Sequence, residues 1–324
     1  MRKKNIAIIM GGYSSEVDIS IKSGTVVYHH LDKNKYNPYK VLILKEGWYA
    51  EFNGEKYSID KNNFSFTVSG EKILFDCVFN AIHGNPGENG VILAYFDLIG
   101  MKHTSAPSYQ MALTFNKRDC LSVVREYGIP TAKSYYLNNG DQIDTDKIID
   151  KVGLPCFVKP NNAGSSFGIS KVYKEIDLLL AIKKAYREDS EILIESFLDG
   201  TEVSVGVLSY HGNTLVLPMT EIVSENDFFD YEAKYQGKSQ EITPARISDT
   251  IKTRVSEMAE KVYDVLNMSG FTRSEYILVN NVPHFLEMNT VPGLTEESIL
   301  PQQAKEAKIS LTDLFDNAIS MALT

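Results

Sequence analysis

The chain has 324 residues, 43% of them hydrophobic and 23% charged, with a formal net charge of −9. That length and balance suit a soluble globular protein of two or three domains and exclude a disordered or fibrous chain. The acidic excess argues against sequence-independent nucleic-acid binding, which needs clustered Lys and Arg, so an anionic ligand has to be held by a local site. Cys77, Cys120 and Cys156 lack CxxC spacing and sit among apolar neighbours, which reads as core thiols in a reducing, cytoplasmic context. The first apolar run is too short for a signal peptide, and no later stretch approaches a membrane span.

In chain order, "NIAIIMGG" predicts a strand ending in a glycine loop, and "SSEVDISIKSGTVVYHHL" leads through small and polar residues into a helix. Strands are expected at "YKVLILK" and "FDCVFNAIH" and a helix over "GVILAYFDLIG". This alternation predicts a parallel sheet covered on both faces over residues 1–104. After Pro107 the style changes to one helix, "SYQMALTFNKRDCLSVVREYG", a strand "SYYL", a helix "DKIIDKVG", strands at "LPCFVKP" and "ISKVY", and an amphipathic helix "EIDLLLAIKKAYRE". Those elements predict a small α+β unit at 105–195, followed by a larger unit of alternating strands over 196–324. The whole is a mixture of α/β and α+β, without repeats.

"VKPNNAGSSFGISKV", residues 158–172, places a loop of small residues between two strands. Such a loop is either a hairpin connection or a cradle of backbone N–H groups for phosphate oxygens. It is not a Walker A loop, which runs from strand into helix; "GKS" at Gly237–Ser239 fails that pattern because Glu232 stands where its first glycine belongs. Lys117, Lys159 and Lys234 lie in separate segments beside apolar or aromatic residues that would pack the stem and aim the ammonium. Each is a surface lysine or a phosphate ligand. "LIESFLDGTEVSV", residues 193–205, sets Glu195 and Glu202 at neighbouring strand ends around Phe197 and Leu198. That mixture suits an adenosine, or simply a solvated sheet edge.

In "GFTRSEYILVNNVPHFLEMNTVPG", residues 270–293, a turn near Asn281 puts Glu275 opposite Glu287 and Arg273 opposite Asn289. Like charges across a ladder are unfavourable by a few tenths of a kcal/mol, roughly. A divalent cation reverses the sign, since Mg²⁺ takes carboxylate oxygens together with nucleotide phosphates. A water-facing pair and a metal clamp both remain open at this point.

Taken together, "GGYSSEVDIS", "AIHGNPGENG", "KPNNAGSSFGISKV", "ESFLDGTEVSV", "DYEAKYQ" and "LEMNTVPGLTEESILP", in this order along nearly the whole chain, resemble the D-alanine:D-alanine ligase family of ATP-grasp enzymes. The resemblance implies a three-domain ATP-grasp fold with a Rossmann-like N-terminal domain. It implies Lys117 and Lys159 on the nucleotide phosphates, Lys234 near the γ-phosphate, and the loop of Ser165, Ser166 and Gly168 closing over them. Glu195, Phe197, Leu198 and Glu202 match the adenosine positions. Glu275, Glu287 and Asn289 match the ligands of two Mg²⁺ ions, with Mn²⁺ an alternative. Glu16 corresponds to the residue that engages the first D-alanine's ammonium, with His83 at the same place, and Ser165 and Tyr235 join Glu16 in a loop-closing hydrogen-bonded set. Arg273 and the Gly293 N–H match an oxyanion hole, and Ser298 with the Ile299 backbone the site of the second substrate's carboxylate.

The implied reaction phosphorylates one D-alanine with ATP and joins the acyl phosphate to a second, for peptidoglycan precursors, in a cytoplasmic homodimer. The chain departs from the commoner family pattern at Glu275, where an aspartate is usual, and at Ala163, where an acidic residue often stands. Tyr235 favours a dipeptide over a depsipeptide product. A D-alanyl-D-lactate or D-alanyl-D-serine ligase is the alternative within enzymes, and an ATP-binding sensor the alternative outside them; the full set of phosphate, metal and oxyanion residues argues against the latter.

Overall fold

The computed structural model describes residues 2–162, 168–224 and 239–324; Ser165, Ser166, Lys234 and Tyr235 lie outside the described residues. The first unit runs β1 (Lys4–Gly11), α1 (Val17–His30), β2 (Tyr36–Leu44), β3 (Gly47–Phe52), β4 (Glu55–Ser58), β5 (Ser65–Val68), β6 (Glu71–Leu74), β7 (Cys77–Asn80) and α2 (Val91–Leu98). Its sheet has the order β4-β3-β2-β1-β7, with β1 parallel to both β2 and β7. The expected all-parallel sheet is therefore corrected to a mixed one. Short connections at 45–46 and at Asn53–Gly54, the latter pair at positive φ, return the chain as an antiparallel meander. The aromatic residues of that meander pack around the fully buried Phe64 and Phe66.

The expected single helix after Pro107 is two: α3 (Ser108–Phe115) and α4 (Lys117–Glu126). Asn116 takes an extended conformation between them, and its side chain accepts the Asp119 N–H, capping α4. There follow β8 (Ser134–Asn138), α5 (Thr145–Val152), β9 (Cys156–Pro160), β10 (Ser170–Val172), α6 (Glu175–Ala185) and β11 (Glu191–Ser196), whose antiparallel sheet has the order β10-β9-β11-β8. This lobe has a core of its own, including Ile148, Val158, Leu178, Ile182 and Ile194. Helices α3 and α4 instead bury Met111, Cys120, Leu121 and Val124 in the larger core that also holds Tyr276 and Phe285.

The last unit comprises β12 (Thr201–Tyr210), β13 (Asn213–Val216), β14 (Thr220–Ser224), β15 (Ser239–Ile242), α7 (Asp249–Val265), β16 (Phe271–Val279), β17 (Val282–Asn289), α8 (Ile299–Glu306) and α9 (Leu311–Leu323). β12 lies between β14 and β16, and β17 forms the edge beyond β16. Two apolar cores run from the N-terminal sheet into this unit; Ile9 shares one with Val205 and Phe285, and Ile8 shares the other with Leu300 and Phe315.

The β16–β17 hairpin turns through Asn280 and Asn281, at φ 50° and 63°, the left-handed pair a two-residue turn needs. Val279 pairs with Val282 and Tyr276 with Phe285; the register then shifts between Glu275 and Tyr276, leaving Leu286 unmatched. This β-bulge switches the buried positions of β17 from Pro283 and Phe285 to Met288. Beyond it Glu275 faces Glu287 and Arg273 faces Asn289.

Candidate active site

The hairpin brings two carboxylates, an amide and a guanidinium onto neighbouring positions, and each carboxylate also has a cation of its own. Glu275 Oε1 lies 2.7 Å from Arg273 Nη1, and Glu287 Oε2 lies 3.3 Å from Lys117 Nζ. Arg273 further donates to Ser204 Oγ on β12 at 3.3 Å. Burial works against the Arg273 charge, but Glu275, Glu287, Glu241 and Glu88 outweigh it and raise its pKa above the ordinary value. Lys117 opens α4, where a cation opposes the helix dipole. Its position is thus explained by Glu287 across the cleft and not by helix stability.

On the nucleotide side expected from sequence, Lys159 of β9 reaches Glu195 of β11, Nζ to Oε2, at 2.8 Å, with both groups largely buried. Burial lowers the lysine's affinity for its proton, yet Glu195, Glu287 and Glu202 together raise its pKa. Glu195 Oε1 is buried and meets no donor among the described residues. Phe197 lies 6.3 Å from Phe157, and the Lys171 ammonium stands 4.1 Å from the Phe197 ring centre. Leu198 is partly buried at the strand end, and Gly168, at φ +74°, lies against Pro160 and Glu188.

Loops of the N-terminal unit form the facing wall. Glu16 sits at the N-cap of α1 but makes no side-chain capping bond there. A Cβ built on Gly84, which has φ +67°, would stand 2.9 Å from Ser14 Oγ and 3.2 Å from Glu16 Oε2. Only glycine lets the "HGNPGENG" loop come this close to the Glu16 turn. His83 is buried; its Nε2 is 3.1 Å from Ser23 Oγ, which also accepts the Leu294 N–H at 3.2 Å. Burial lowers the His83 pKa, with Arg273 adding to that, while Glu16 and the Val291 carbonyl oppose. The imidazole is held neutral, as a bracket between α1 and the turn that follows β17.

That turn ends the site. A Cβ on Gly293 would fall 2.6 Å from Ser298 Oγ, so the backbone there lies directly against the serine at the N-cap of α8. Ser298 Oγ is 2.8 Å from Thr295 Oγ1, and Ile299 is the first residue of the helix. A helix N-terminus offers N–H groups and positive potential to a carboxylate.

Glu88, given no role from sequence, lies at the centre of these contacts. Its Oε2 accepts the Gly84 N–H at 3.0 Å, and its Oε1 accepts those of Thr290 and Val291 at 3.3 and 3.5 Å. Burial, with the negative charge of Glu16 next, pushes its pKa up to about 7 against these hydrogen bonds. Its glycine-flanked place in "HGNPGENG" was the available signal; its partners lie some two hundred residues away.

A small lobe and a larger antiparallel unit meeting over a cleft of lysines and carboxylates, with an α/β unit closing one end, is the architecture of the ATP-grasp enzymes. The family model described as D-ala D-ala ligase N-terminus matches residues 5–106, and the one described as D-ala D-ala ligase C-terminus matches residues 123–320. The chain belongs to the D-alanine–D-alanine ligase family. A curated relative of that name from Flavobacterium johnsoniae is 66% identical over 321 residues, covering 99% of both chains. Among solved structures, the VanG D-Ala:D-Ser ligase from Enterococcus faecalis is similar at a TM-score of 0.90 and 30% identity, over 99% of this chain and 100% of that one. The D-alanine–D-alanine ligase from Bacillus anthracis complexed with ATP gives a TM-score of 0.79 at 26% identity, over 99% of this chain and 97% of that one.

Proposed function

We propose that this chain joins two D-alanine molecules into D-alanyl-D-alanine, driven by cleavage of ATP to ADP and phosphate, as a step in supplying peptidoglycan precursors. The hairpin register carries the reading at the level of chemistry: Glu275 opposite Glu287 and Arg273 opposite Asn289 gather metal ligands and an oxyanion donor at one sheet edge. The 66% identity to the Flavobacterium johnsoniae ligase supports D-alanine as both substrates.

ATP lies with its adenine near Glu195, Phe197 and Leu198, its ribose near Glu202, and its phosphates against Lys117 and Lys159. The buried Glu195 Oε1, which meets no donor among the described residues, fits an exocyclic amine. Ser165, Ser166, Gly168, Lys234 and Tyr235 belong to the same reading as the loops that cover phosphates and substrate. Glu275, Glu287 and Asn289 are hard oxygen donors and would hold Mg²⁺, or Mn²⁺ in its place. Mg²⁺ held by one or two carboxylates commonly completes its shell with nucleotide phosphate oxygens. Bound there, the ions, two in this proposal, neutralise charge on the phosphoryl group in transfer.

Glu16 holds the ammonium of the first D-alanine, beside the neutral His83. The carboxylate oxygen of this first D-alanine attacks the γ-phosphorus, ADP leaves, and D-alanyl phosphate forms. The second D-alanine, whose carboxylate rests on Ser298 and the Ile299 N–H, loses its ammonium proton to solvent, and its free amine attacks the acyl carbon, a second proton from that nitrogen leaving with the departing phosphate. Arg273 and the Gly293 N–H hold the oxyanion until phosphate departs and the amide remains. Water has to be excluded while the acyl phosphate exists.

The three-part division at 104 and 195 belongs to this proposal, with α3 and α4 packed on the larger core. So do the homodimer and the cytoplasmic location; among the described residues no helix is long and apolar enough to cross a membrane. With Mg²⁺-ATP and D-alanine the purified protein is expected to release ADP and phosphate in step with dipeptide. ADP release that does not depend on D-alanine would sink the reading, and preferential incorporation of D-serine or D-lactate would move it to the related ligases.

A further inference from the structure

In its ionised form Glu88 meets only donors. Gly84 N–H lies on one oxygen, and Thr290 N–H and Val291 N–H lie on the other. The Asn289 amide adds a further donor to that second oxygen. With its NH₂ on Glu88 Oε1, its carbonyl oxygen accepts Arg273 Nη2 at 3.0 Å; turned the other way, it would set oxygen against oxygen and nitrogen against nitrogen. The Glu88 carboxylate thus selects one of the two amide orientations. The selected one aims the Asn289 carbonyl oxygen at Arg273, which itself contacts Glu275. A glutamine at 88 would keep the shape but bring its own NH₂ against one of these N–H groups.

The same loop takes hold of the turn at other points. His83 Nε2 is hydrogen-bonded to Ser23 Oγ, Ser23 Oγ accepts the Leu294 N–H, and the Glu88 N–H closes the loop on the Gly84 carbonyl at 2.6 Å. Residues 289–294, which carry Asn289 and Gly293, are therefore fixed from the N-terminal unit and not by the ladder alone, since β17 ends at Asn289.

We infer that Glu88 is a positioning residue for the ligation, an N-terminal carboxylate that orients the Asn289 amide and pins the Thr290–Val291 backbone so that metal ligand and oxyanion donors stay in register. The inference rests on the ligase reading, because the role of Asn289 as a metal ligand comes from it. Glu88 would touch neither substrate nor metal. Residues that orient a metal ligand typically change affinity or activity by about 10–100-fold when removed.

The test is Glu88→Gln, which preserves volume. Turnover is expected to fall about 10–100-fold, and the free Mg²⁺ needed for half-maximal rate to rise, with the KM for ATP little changed. In the substrate-free protein, amide hydrogen exchange is expected to speed up in a peptide containing Thr290 and Val291 and to stay as in wild type over β9–β11. That exchange reads the clamp without any substrate, so it separates this inference from the ligase reading, which wild-type turnover tests. A variant with wild-type Mg²⁺ dependence and wild-type exchange at 290–291 overturns the inference. So does one whose exchange rises throughout the chain as its melting temperature falls, because Glu88 would then hold up the fold in general.

Discussion

The two sides of the cleft are built differently. The hairpin side is continuous with the N-terminal unit: Ile9, Val205, Tyr276 and Phe285 share one core, and the loop of His83 and Glu88 grips residues 289–294. The nucleotide side sits on a lobe that carries Lys159 and Glu195 and whose own buried core runs from Leu137 to Ile194, while Leu193 of its β11 faces the larger core. The groups assigned to acyl transfer in the proposed reading thus share one packed body. On the proposed reading, Lys159 and Glu195 of the ATP site ride on a lobe with a core of its own. Lys117 stands between the two, opening α4 on the larger core and paired with Glu287.

This contrast can be broken or sharpened by substitutions on the lobe. Glu195→Gln removes an acceptor and half of a buried ion pair, and is expected to weaken ATP binding about 10-fold or more, the worth of one charge-assisted hydrogen bond. Turnover at saturating ATP should change much less; calorimetric titration beside steady-state kinetics reads both. An equal fall in turnover would mean that the lobe also shapes the chemical step. A smaller effect is expected from Ile182→Val, in the lobe's core, at about 0.5–1.5 kcal/mol of stability. Denaturant unfolding would measure it, with turnover at saturating ATP unchanged if the lobe is mechanically separate.

A turn placed near Asn281 made the pairs Glu275–Glu287 and Arg273–Asn289 legible in the sequence, but the actual turn at Asn280 and Asn281 reaches those pairs only through the bulge. The bulge at Leu286 was harder to see, although Phe285 and Met288, both buried at odd spacing, signalled it. The cap that splits α3 from α4 was readable in "FNKRD", where an Asn stands three residues before an Asp; the helical apolar spacing on either side hid it. The antiparallel meander β3–β4 was hidden because its partners are aromatic residues from distant segments, whose packing no local pattern states. Glu88 shows the same limit at the site itself, since a carboxylate's partners across two domains depend on the tertiary fold alone.

The claim that the hairpin is one reaction centre, separate from the grip on ATP, is tested most directly at Arg273. Turnover and the dissociation constant for ATP should be measured together on Arg273→Ala. Loss of an oxyanion donor is expected to lower turnover by about 100–1000-fold while ATP affinity stays near that of the unaltered protein. A loss of ATP affinity as large as the loss of turnover would place Arg273 on the nucleotide and contradict the account.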